Sequence, residues 1–386
     1  MCVSDLNWIN NYGFIGVRLF DIPSFLICVL LVLILGYRFK VSSNYLIVLI
    51  LHCFLPFLLN GVLFDPLYMP DQFNYFEAVN KIRHNQIGIF EALNSKRNVV
   101  EASALLSLIP LPTPVSVISL GFYNTILYIL LFFKLYTKKI FTNVSVWLYL
   151  LFPSVALYSA LGLRDTLIFV LMTLAILYAR ESNILKSSIS LLPLFLIKFQ
   201  NFFILAPIVL LYFIFKVAKN GMGLGKAIII VLIGMLGLIA SAPIAIPQIN
   251  HYRAAMYRED GGKGGVELIT GFGDFIFQGL TSGIYFLSKP LFWEANGLLP
   301  LIQSLENIII LAILFLITRQ AWKKAPDRLA FWLLFLVFGM SIYGLVVFNY
   351  GTAVRYRYPF VIIYVLFVCA DCNIQKLLPK AEKSNL

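Results

Sequence analysis

SSISLLPLFLIKFQNFFILAPIVLLYFIF, residues 187–215, is the stretch that decides how this chain folds. As one helix its 29 residues would be more than about 40 Å long, because an α-helix rises about 1.5 Å per residue. The hydrocarbon core of a bilayer is only about 30 Å thick. The polar residues Lys198, Gln200 and Asn201 lie near the middle of the stretch. The sequence therefore predicts two short membrane helices with a break at 198–201.

Apolar runs recur along the whole chain. Of its 386 residues, 60% are hydrophobic and 12% are charged, whereas a soluble domain carries about 25% charged residues. This composition excludes an ordinary soluble protein and predicts an all-α fold, a polytopic integral membrane helical bundle in which 1–386 form a single membrane domain. About 11 spans are predicted, near 15–36, 44–63, 114–133, 143–161, 166–179, 187–197, 200–215, 227–247, 301–318, 329–348 and 359–372.

The distribution of charge predicts the orientation in the membrane. If the N-terminus lies outside, the connections on the opposite side carry 17 basic and 4 acidic residues, and the outer connections carry 13 basic and 14 acidic residues. By the positive-inside rule the first set is cytoplasmic, so we expect an outer N-terminus and a cytoplasmic C-terminus. The net charge of +12 is then a topology signal, and no nucleic-acid partner is implied. One helix over 187–215 would invert the later spans and place the basic cluster at 319–328 outside.

Two outer connections are long, a first outer loop at 64–113 and a second at 248–300, so we expect the protein to act at its outer face. In the first loop, residues 71–82 predict a short amphipathic helix that lies in the membrane interface. Its apolar side carries Phe73, Phe76, Val79 and Ile82, and its polar side carries Asp71, Asn74, Glu77 and Lys81.

Two acidic residues of the first outer loop are candidates for chemistry. Asp71 is either the N-cap of the amphipathic helix or a carboxylate held over the membrane surface as a general base. Asp65, six residues earlier, is open to the same two roles. The pair leaves a divalent cation open as a cofactor, but no defined metal site is predicted.

Three further polar positions are candidates for ligand binding. Arg164 and Asp165 lie in a tight outer turn after Gly162. Arg164 either pairs with Asp165, reaches lipid head groups, or binds a ligand. Lys198 lies at the predicted break between two short helices, and interrupted membrane helices commonly line a polar cavity.

The stretch FNYGTAVRYRYPFVIIY, residues 348–364, places two arginines directly before an apolar run. Pro359 is suited to the first position of a helix, and it biases the preceding residue away from helical geometry. Residues 355–358 are therefore predicted to be extended, so that Arg355 and Arg357 point the same way above a helix N-terminus. Guanidinium groups bind phosphate oxygens in a bidentate manner. Lipid head groups are the alternative to a specific phosphate-bearing ligand.

The second outer loop contains HYRAAMYREDGGKGGVELITGFGDF, residues 251–275. Its glycine-rich centre at 261–265 follows several charged residues, Asp260 among them. A mobile lid over an outer cavity and a plain surface loop are both compatible with this pattern. It is not a nucleotide-binding P-loop, because GKS or GKT is absent and no strand precedes the glycines.

Four stretches resemble bacterial GT-C-type membrane glycosyltransferases and the related polymerases of O-antigen and other surface polysaccharides. They are PDQFNYFEAVNKI at 70–82, FPSVALYSALGLRD at 152–165, LPLFLIKFQNFFILAP at 192–207 and NYGTAVRYRYPF at 349–360. The pattern covers most of the chain. The sequence departs from it in two ways, since the acidic loop follows the second span rather than the first, and Asp71 is followed by Gln72 rather than by a second acidic residue.

The resemblance implies that a sugar is transferred from a polyprenyl phosphate or diphosphate to a glycan or lipid-linked acceptor. The transfer would take place at the outer face of the bacterial inner membrane. Arg355 and Arg357, helped by Arg164 or Lys198, would bind the phosphate and stabilise the charge of the leaving group. The isoprenoid tail would lie in the bilayer, between apolar helices.

The resemblance also implies that Asp71, or failing that Asp65, takes the proton from the acceptor hydroxyl. A polymerase-type mechanism without a carboxylate base would leave most of the catalysis to the cations. The alternative function is a transporter or flippase of lipid-linked oligosaccharides. Such proteins more often carry ionisable residues at mid-membrane and two similar halves. In this sequence Glu306 and Lys198 approach mid-depth and no repeat is evident, so the glycosyltransferase is the favoured interpretation.

Overall fold

The computed structural model describes residues 18–65, 67, 69–217, 243, 246–260, 262 and 265–377. Within these residues the fold is all-α and contains no strand. The helices of the first half are α1 (Arg18–Phe39), α2 (Ser43–Cys53), α3 (Leu55–Leu59), α4 (Asp71–Arg83), α5 (Ile89–Leu93), α6 (Asn98–Ser107), α7 (Val117–Thr137), α8 (Asn143–Leu151), α9 (Pro153–Tyr158), α10 (Asp165–Arg180), α11 (Ile184–Ile197) and α12 (Phe199–Val217). Residues 246–259 form α13, followed by α14 (Phe272–Ser288), a 3-10 helix (Phe292–Glu294), α15 (Leu298–Lys324), α16 (Pro326–Val346) and α17 (Tyr350–Asp371).

Several of these helices are suited to a bilayer. In the described part of the chain, α1, α7, α15, α16 and α17 are long and apolar enough to cross a membrane, and the shorter helices α2, α11 and α12 are also apolar. The chain therefore has the character of a multi-pass helical membrane protein. The number of about 11 spans stays a prediction, and the span expected at 227–247 lies almost wholly outside the described residues.

The predicted break in the stretch 187–215 is confirmed. Helix α11 ends at Ile197 and α12 begins at Phe199, with Lys198 between them. The carbonyl of Lys198 accepts the N–H of Asn201 at 2.9 Å, which starts the first turn of the second helix. Two other predicted spans also consist of two helices each, since Pro56 and Pro153 occupy the first turns of α3 and α9.

The prediction for the last helix is wrong at its start. Residues 355–358 are helical rather than extended, because α17 begins at Tyr350 and Pro359 lies inside it. The Asn349 side chain caps the helix by accepting the N–H groups of Gly351 and Thr352. Once the helix has started nine residues before Pro359, the ring costs one hydrogen bond, to the carbonyl of residue 355, and membrane helices tolerate that loss.

The amphipathic helix of the first outer loop is present as α4. Its apolar residues are buried, its polar residues Asp71, Asn74, Glu77 and Lys81 are exposed, and Glu77 and Lys81 form an i,i+4 ion pair at 2.6 Å. The apolar side packs against protein, mainly against α6, rather than facing outward to lipid. The first outer loop thus contains short helices that pack against one another.

Two compact units can be distinguished, and each is described by itself. Unit 1 comprises Met1–Ile140, Trp147–Leu174 and Ser188–Phe202, and unit 2 comprises Phe141–Val146, Ala175–Ser187 and Phe203–Leu386. In unit 1 the mostly buried α7 is the central helix, and α1, α2, α3 and α4 pack against it. In unit 2 the mostly buried α17 takes that position, and α14, α15 and α16 pack against it.

Glycines allow a close approach of two helices in unit 2. A Cβ atom at Gly283 of α14 would lie 2.9 Å from the main chain of Ser341 in α16, and one at Gly344 would clash with the main chain of Ser282. Small residues at such crossings let membrane helices pack backbone against backbone. Helix α14, which belongs to the second predicted outer loop, is therefore held firmly along α16.

Candidate functional site

In unit 1, Gln72 joins the start of α4 to the turn that carries Arg164. The Gln72 and Asn60 side-chain amides form a reciprocal pair, with N···O distances of 3.1 and 3.2 Å. The Gln72 Oε1 atom also accepts the N–H of Gly162 at 3.1 Å. Gln72 is 1% exposed, so these bonds are made away from water, where polar groups need partners.

The same turn is held from α7 and α10. Asn124 of α7 donates through Nδ2 to the carbonyls of Leu161 and Leu163 at 2.6 and 2.5 Å. Thr166 donates through its hydroxyl to the carbonyl of Tyr158 at 2.9 Å. The turn therefore has one fixed shape, and Arg164 leaves it in a defined direction.

Arg164 brings this turn to the break at Lys198. Its Nη1 atom donates to the carbonyl of Ile197 at 2.8 Å, which is the last residue of α11. A cation at this position satisfies a carbonyl that has no partner within the helix and lies at the negative end of the helix dipole. Lys198 follows directly and is 5% exposed. The structure thus brings together two of the four predicted phosphate-binding residues.

Glu101 is a member of this region that the sequence analysis missed. It lies in α6, and burial raises the pKa of its carboxyl, while the positive charge of Arg164 lowers it. The signal was an acidic residue inside the mostly apolar segment NVVEASALLS.

Asp65 and Asp71 lie apart from these buried contacts, at exposed positions. Asp65 accepts the N–H of Leu67 at 2.9 Å in a local turn. Asp71 is the first residue of α4, and the N-cap is Pro70, so of the two roles left open for Asp71 the N-cap is wrong and the general base stays a prediction. A carboxylate in the first turn still interacts favourably with the helix dipole. Among the described residues there is no group of three or more His, Cys, Asp or Glu that could hold a metal ion.

In unit 2, Arg357 is buried against the end of α14. Its Nη1 atom donates to the carbonyls of Phe286, Leu287 and Lys289 at 3.1, 3.0 and 2.7 Å, and its Nη2 atom donates to Asn307 Oδ1. The guanidinium therefore caps the C-terminal end of a helix, as Arg164 does in unit 1.

Arg355 does not share the direction of Arg357. Because 355–358 are helical, residues two apart lie ~200° apart around the axis, and the expected common face is wrong. Arg355 is half-buried, with its guanidinium 6.0 Å from the centre of the Tyr356 ring, whereas Arg357 is 5% exposed.

Two more cations of unit 2, Lys289 and Arg253, were not predicted as site residues. The Lys289 Nζ atom donates to the carbonyl of Val347 at 2.6 Å, and Arg253 Nε donates to the carbonyl of Leu345 at 3.0 Å. Both cations thereby satisfy carbonyls at the end of α16. The signal for Lys289 was a single charge in the aromatic-rich segment YFLSKPLFW.

The electrostatic surroundings of Lys289 are mixed. Burial lowers the pKa of its ammonium group to about 8, Asp260 opposes that shift, and the positive charge of Arg357 adds to it. Asp260 lies in the loop for which a lid was considered. Its Oδ2 atom accepts the N–H groups of Phe348 and Asn349 at 2.9 and 3.0 Å, at the start of α17.

The fold and these sites define a multi-pass helical membrane protein whose buried cations lie at helix ends. No family model, no curated protein and no solved structure matches the chain.

Proposed function

We propose that the protein is a membrane glycosyltransferase that uses a polyprenyl-phosphate- or diphosphate-linked sugar to build a surface polysaccharide, in the manner of O-antigen polymerases. The observation that supports this proposal is the convergence of three separate sequence motifs in unit 1. Gln72 of the first motif bonds to Gly162 of the second, and Arg164 of the second bonds to Ile197 of the third. Satisfied polar contacts away from water rigidify the segments that they join, and a binding site needs rigidly held residues.

The chemistry of such a donor fits cations at helix ends. A polyprenyl diphosphate places its phosphates at head-group level and its tail among apolar helices. The candidate phosphate-binding cations are taken in each unit by itself: they are Lys198 and Arg164 in unit 1, and Arg355 and Arg357 in unit 2. Arg164 and Arg357 are fixed by carbonyl acceptors, so their charge is preorganised. Removal of one preorganised donor to a developing charge lowers the rate by about 10²–10³.

The acceptor hydroxyl would lose its proton to Asp71 or Asp65. Both carboxylates are exposed and are thus accessible to a glycan or lipid-linked acceptor at the outer face of a bacterial inner membrane. With a carboxylate base, replacement by Asn lowers the rate by roughly 10²–10⁴. With a polymerase-type mechanism that needs no base, the same replacement is mild. A divalent cation bound through Asp65 and Asp71 would help to neutralise the leaving group, which the arginines could also do alone.

A transporter of lipid-linked oligosaccharides is the second candidate, and one observation favours it. Asp21 of α1 is 1% exposed and accepts the hydroxyls of Ser116, at 2.8 Å, and of Ser119. A buried carboxylate at the start of a helix long enough to span the membrane is a feature of proton and ion pathways.

The length distribution of the surface polysaccharide in a deletion strain separates the two functions. For a polymerase we expect the polymer to be lost while single repeat units are still exported. Lipid-linked units trapped inside the cell would instead indicate a flippase.

Complementation then tests the residues. Arg355→Ala and Lys198→Ala should fail to restore the polymer at normal protein level, whereas Arg97→Ala, at an exposed position of the first outer loop, should restore it. Full polymer formation by either variant would contradict the phosphate-binding role proposed for that residue.

A further inference from the structure

The turn between α16 and α17, residues 347–349, is surrounded by charged side chains of unit 2. Lys289 donates to the carbonyl of Val347, and the Asp260 carboxylate accepts the consecutive N–H groups of Phe348 and Asn349. We call this group, the turn together with Lys289 and Asp260, the turn cluster. An internal carboxylate is thus already bound by two consecutive main-chain N–H groups directly before α17.

Lys289 supplies the observation that points to a ligand. Its side chain is buried, with the residue 2% exposed, and it has three N–H donors. Among the described residues it makes one hydrogen bond, to Val347, and its ammonium lies 5.5 Å from the ring centres of both Tyr285 and Phe286. The two rings and one carbonyl stabilise the buried ammonium in part, and two of its N–H donors are left to take a further acceptor.

We propose that the turn cluster binds the phosphate group of an isoprenoid phosphate, and that the Asp260 carboxylate occupies the phosphate position until the ligand displaces it. The choice of an isoprenoid phosphate rests on the proposed function. A phosphate group has several acceptor oxygens. It can therefore take the N–H groups of Phe348 and Asn349 from Asp260 and also bind Lys289.

A surface for the isoprenoid tail lies next to the turn cluster. Helix α14 ends beside Lys289, and its exposed side is apolar, with Ile276, Phe277, Leu280 and Ile284 all at least 45% exposed. Its opposite side is fixed against α16 by the glycine contacts described above. An isoprenoid chain that follows α14 would thus have its phosphate end at Lys289.

The proposal predicts opposite effects for the two charged residues. Asp260→Asn keeps an oxygen acceptor but removes the competing negative charge, so the ligand should bind about fivefold to tenfold more tightly. Lys289→Met removes the ammonium at similar volume and should weaken binding at least about tenfold. If Asp260 had a purely structural role, its replacement would leave binding unchanged or weaken it.

The test is binding of farnesyl diphosphate to the full-length protein in phosphatidylcholine nanodiscs, measured by calorimetry. Wild type is compared with the two variants and with Asp274→Asn. Asp274 is a matched control because it lies in the same unit but binds Thr270 and Gln278. We expect tighter binding by Asp260→Asn, weaker binding by Lys289→Met and no change in the control.

Two ligand controls identify what is bound. Farnesol, which lacks the phosphates, should not bind. Inorganic diphosphate should bind weakly, with the highest affinity in Asp260→Asn and the lowest in Lys289→Met. Competition by excess phosphatidylglycerol would assign the site to bulk lipid head groups and overturn the proposal. Equal affinity of Asp260→Asn and wild type, or unchanged binding by Lys289→Met, would also overturn it.

A measurement on the wild-type protein covers the case in which a variant does not fold. Hydrogen exchange should become faster in the peptide that carries Asp260 when farnesyl diphosphate binds, because the carboxylate is released from the turn. Slower or unchanged exchange in this peptide contradicts displacement. This test is independent of sugar transfer, so ligand binding in a protein whose deletion leaves the polysaccharide intact would overturn the function but not the site.

Discussion

The stretches 187–215 and 348–364 look alike in sequence but fold differently. Each combines an apolar run that contains proline with basic charge, Lys198 in the first stretch and Arg355 and Arg357 in the second. The first is broken at Lys198, between α11 and α12. The second continues as one helix through Arg355, Arg357 and Pro359.

At 187–215 the excess of length over the bilayer core predicted the break correctly, whereas at 355–358 the bias of Pro359 predicted an extended segment that is not there. Length alone does not force a break, because α15 continues for 27 residues and a long helix can tilt in the bilayer. The bias of Pro359 on the preceding residue is a local preference. The Asn349 cap and the burial of α17 outweigh it.

In both regions an arginine binds the end of a helix. Arg164 binds the last carbonyl of α11 at the break, and Arg357 binds three carbonyls at the end of α14. Both cations lie where a helix leaves carbonyls without partners in a water-poor environment. Arg357 binds more acceptors than Arg164, so its loss should lower the free energy of unfolding more. The following variants test this order.

The largest effect is expected for Arg357→Ala. Its removal takes the buried donor from the carbonyls of Phe286 and Leu287 and from Asn307 Oδ1. The carbonyl of Lys289 also loses a donor but keeps Asn307 Nδ2 at 2.9 Å. We expect the free energy of unfolding to fall by about 3 kcal/mol. Reversible unfolding in mixed detergent and SDS micelles, followed by tryptophan fluorescence, measures it.

Arg355→Ala is the matched control for this variant. Arg355 lies two residues away on the same helix but is half-buried, so its removal should cost less than about 1 kcal/mol. Equal losses for both variants would contradict the capping role of Arg357 and favour a shared face for the two arginines.

A smaller effect is expected for Arg164→Ala in unit 1. One charged hydrogen bond, to the Ile197 carbonyl, is lost, and Glu101 loses a neighbouring positive charge. The free energy of unfolding should fall by about 1.5–2 kcal/mol, and Arg164→Lys should recover part of the loss. The same unfolding assay measures both variants. A loss as large as that of Arg357→Ala would show that the acceptor count does not set the order.

Part of this organisation could be predicted from the sequence, for physical reasons. The break at Lys198 was predicted from the length of the stretch, because bilayer thickness is nearly the same for every membrane protein. Helix α4 was predicted from the spacing of its apolar residues, because the helix period is a local property of the sequence. Arg164 and Lys198 were singled out by their unusual place near apolar runs. Their contact through Ile197 depends on packing between distant segments.

The residues that were missed depend on such long-range contacts. Gln72 was noted as a departure from an expected acidic pair, but its bonds to Asn60 and Gly162 join positions up to 90 residues apart. Lys289 was embedded among aromatic residues, and its acceptor is 58 residues away. No spacing rule along the chain connects such positions, so the sequence could mark polar residues in apolar surroundings but not their partners.

The smallest effect is expected for Pro359→Ala, and it tests the comparison of the two stretches most directly. The variant restores an N–H donor for the carbonyl of Arg355, worth about 1 kcal/mol, and loses the packing of a buried ring. We expect these terms to cancel within about 1 kcal/mol. Pro207→Ala in α12 is the control, because that ring is exposed and loses little packing, so a net gain in stability should appear there.

A gain of about 3 kcal/mol for Pro359→Ala, the full cost of an interior proline, would contradict this account. It would mean that the ring strains α17 and that the extended geometry predicted for 355–358 competes closely with the helix. The same variant would then change the direction of Arg355, and polymer formation would change with stability. If stability stays level and polymer formation is kept, the helix cap rather than the proline determines where α17 begins.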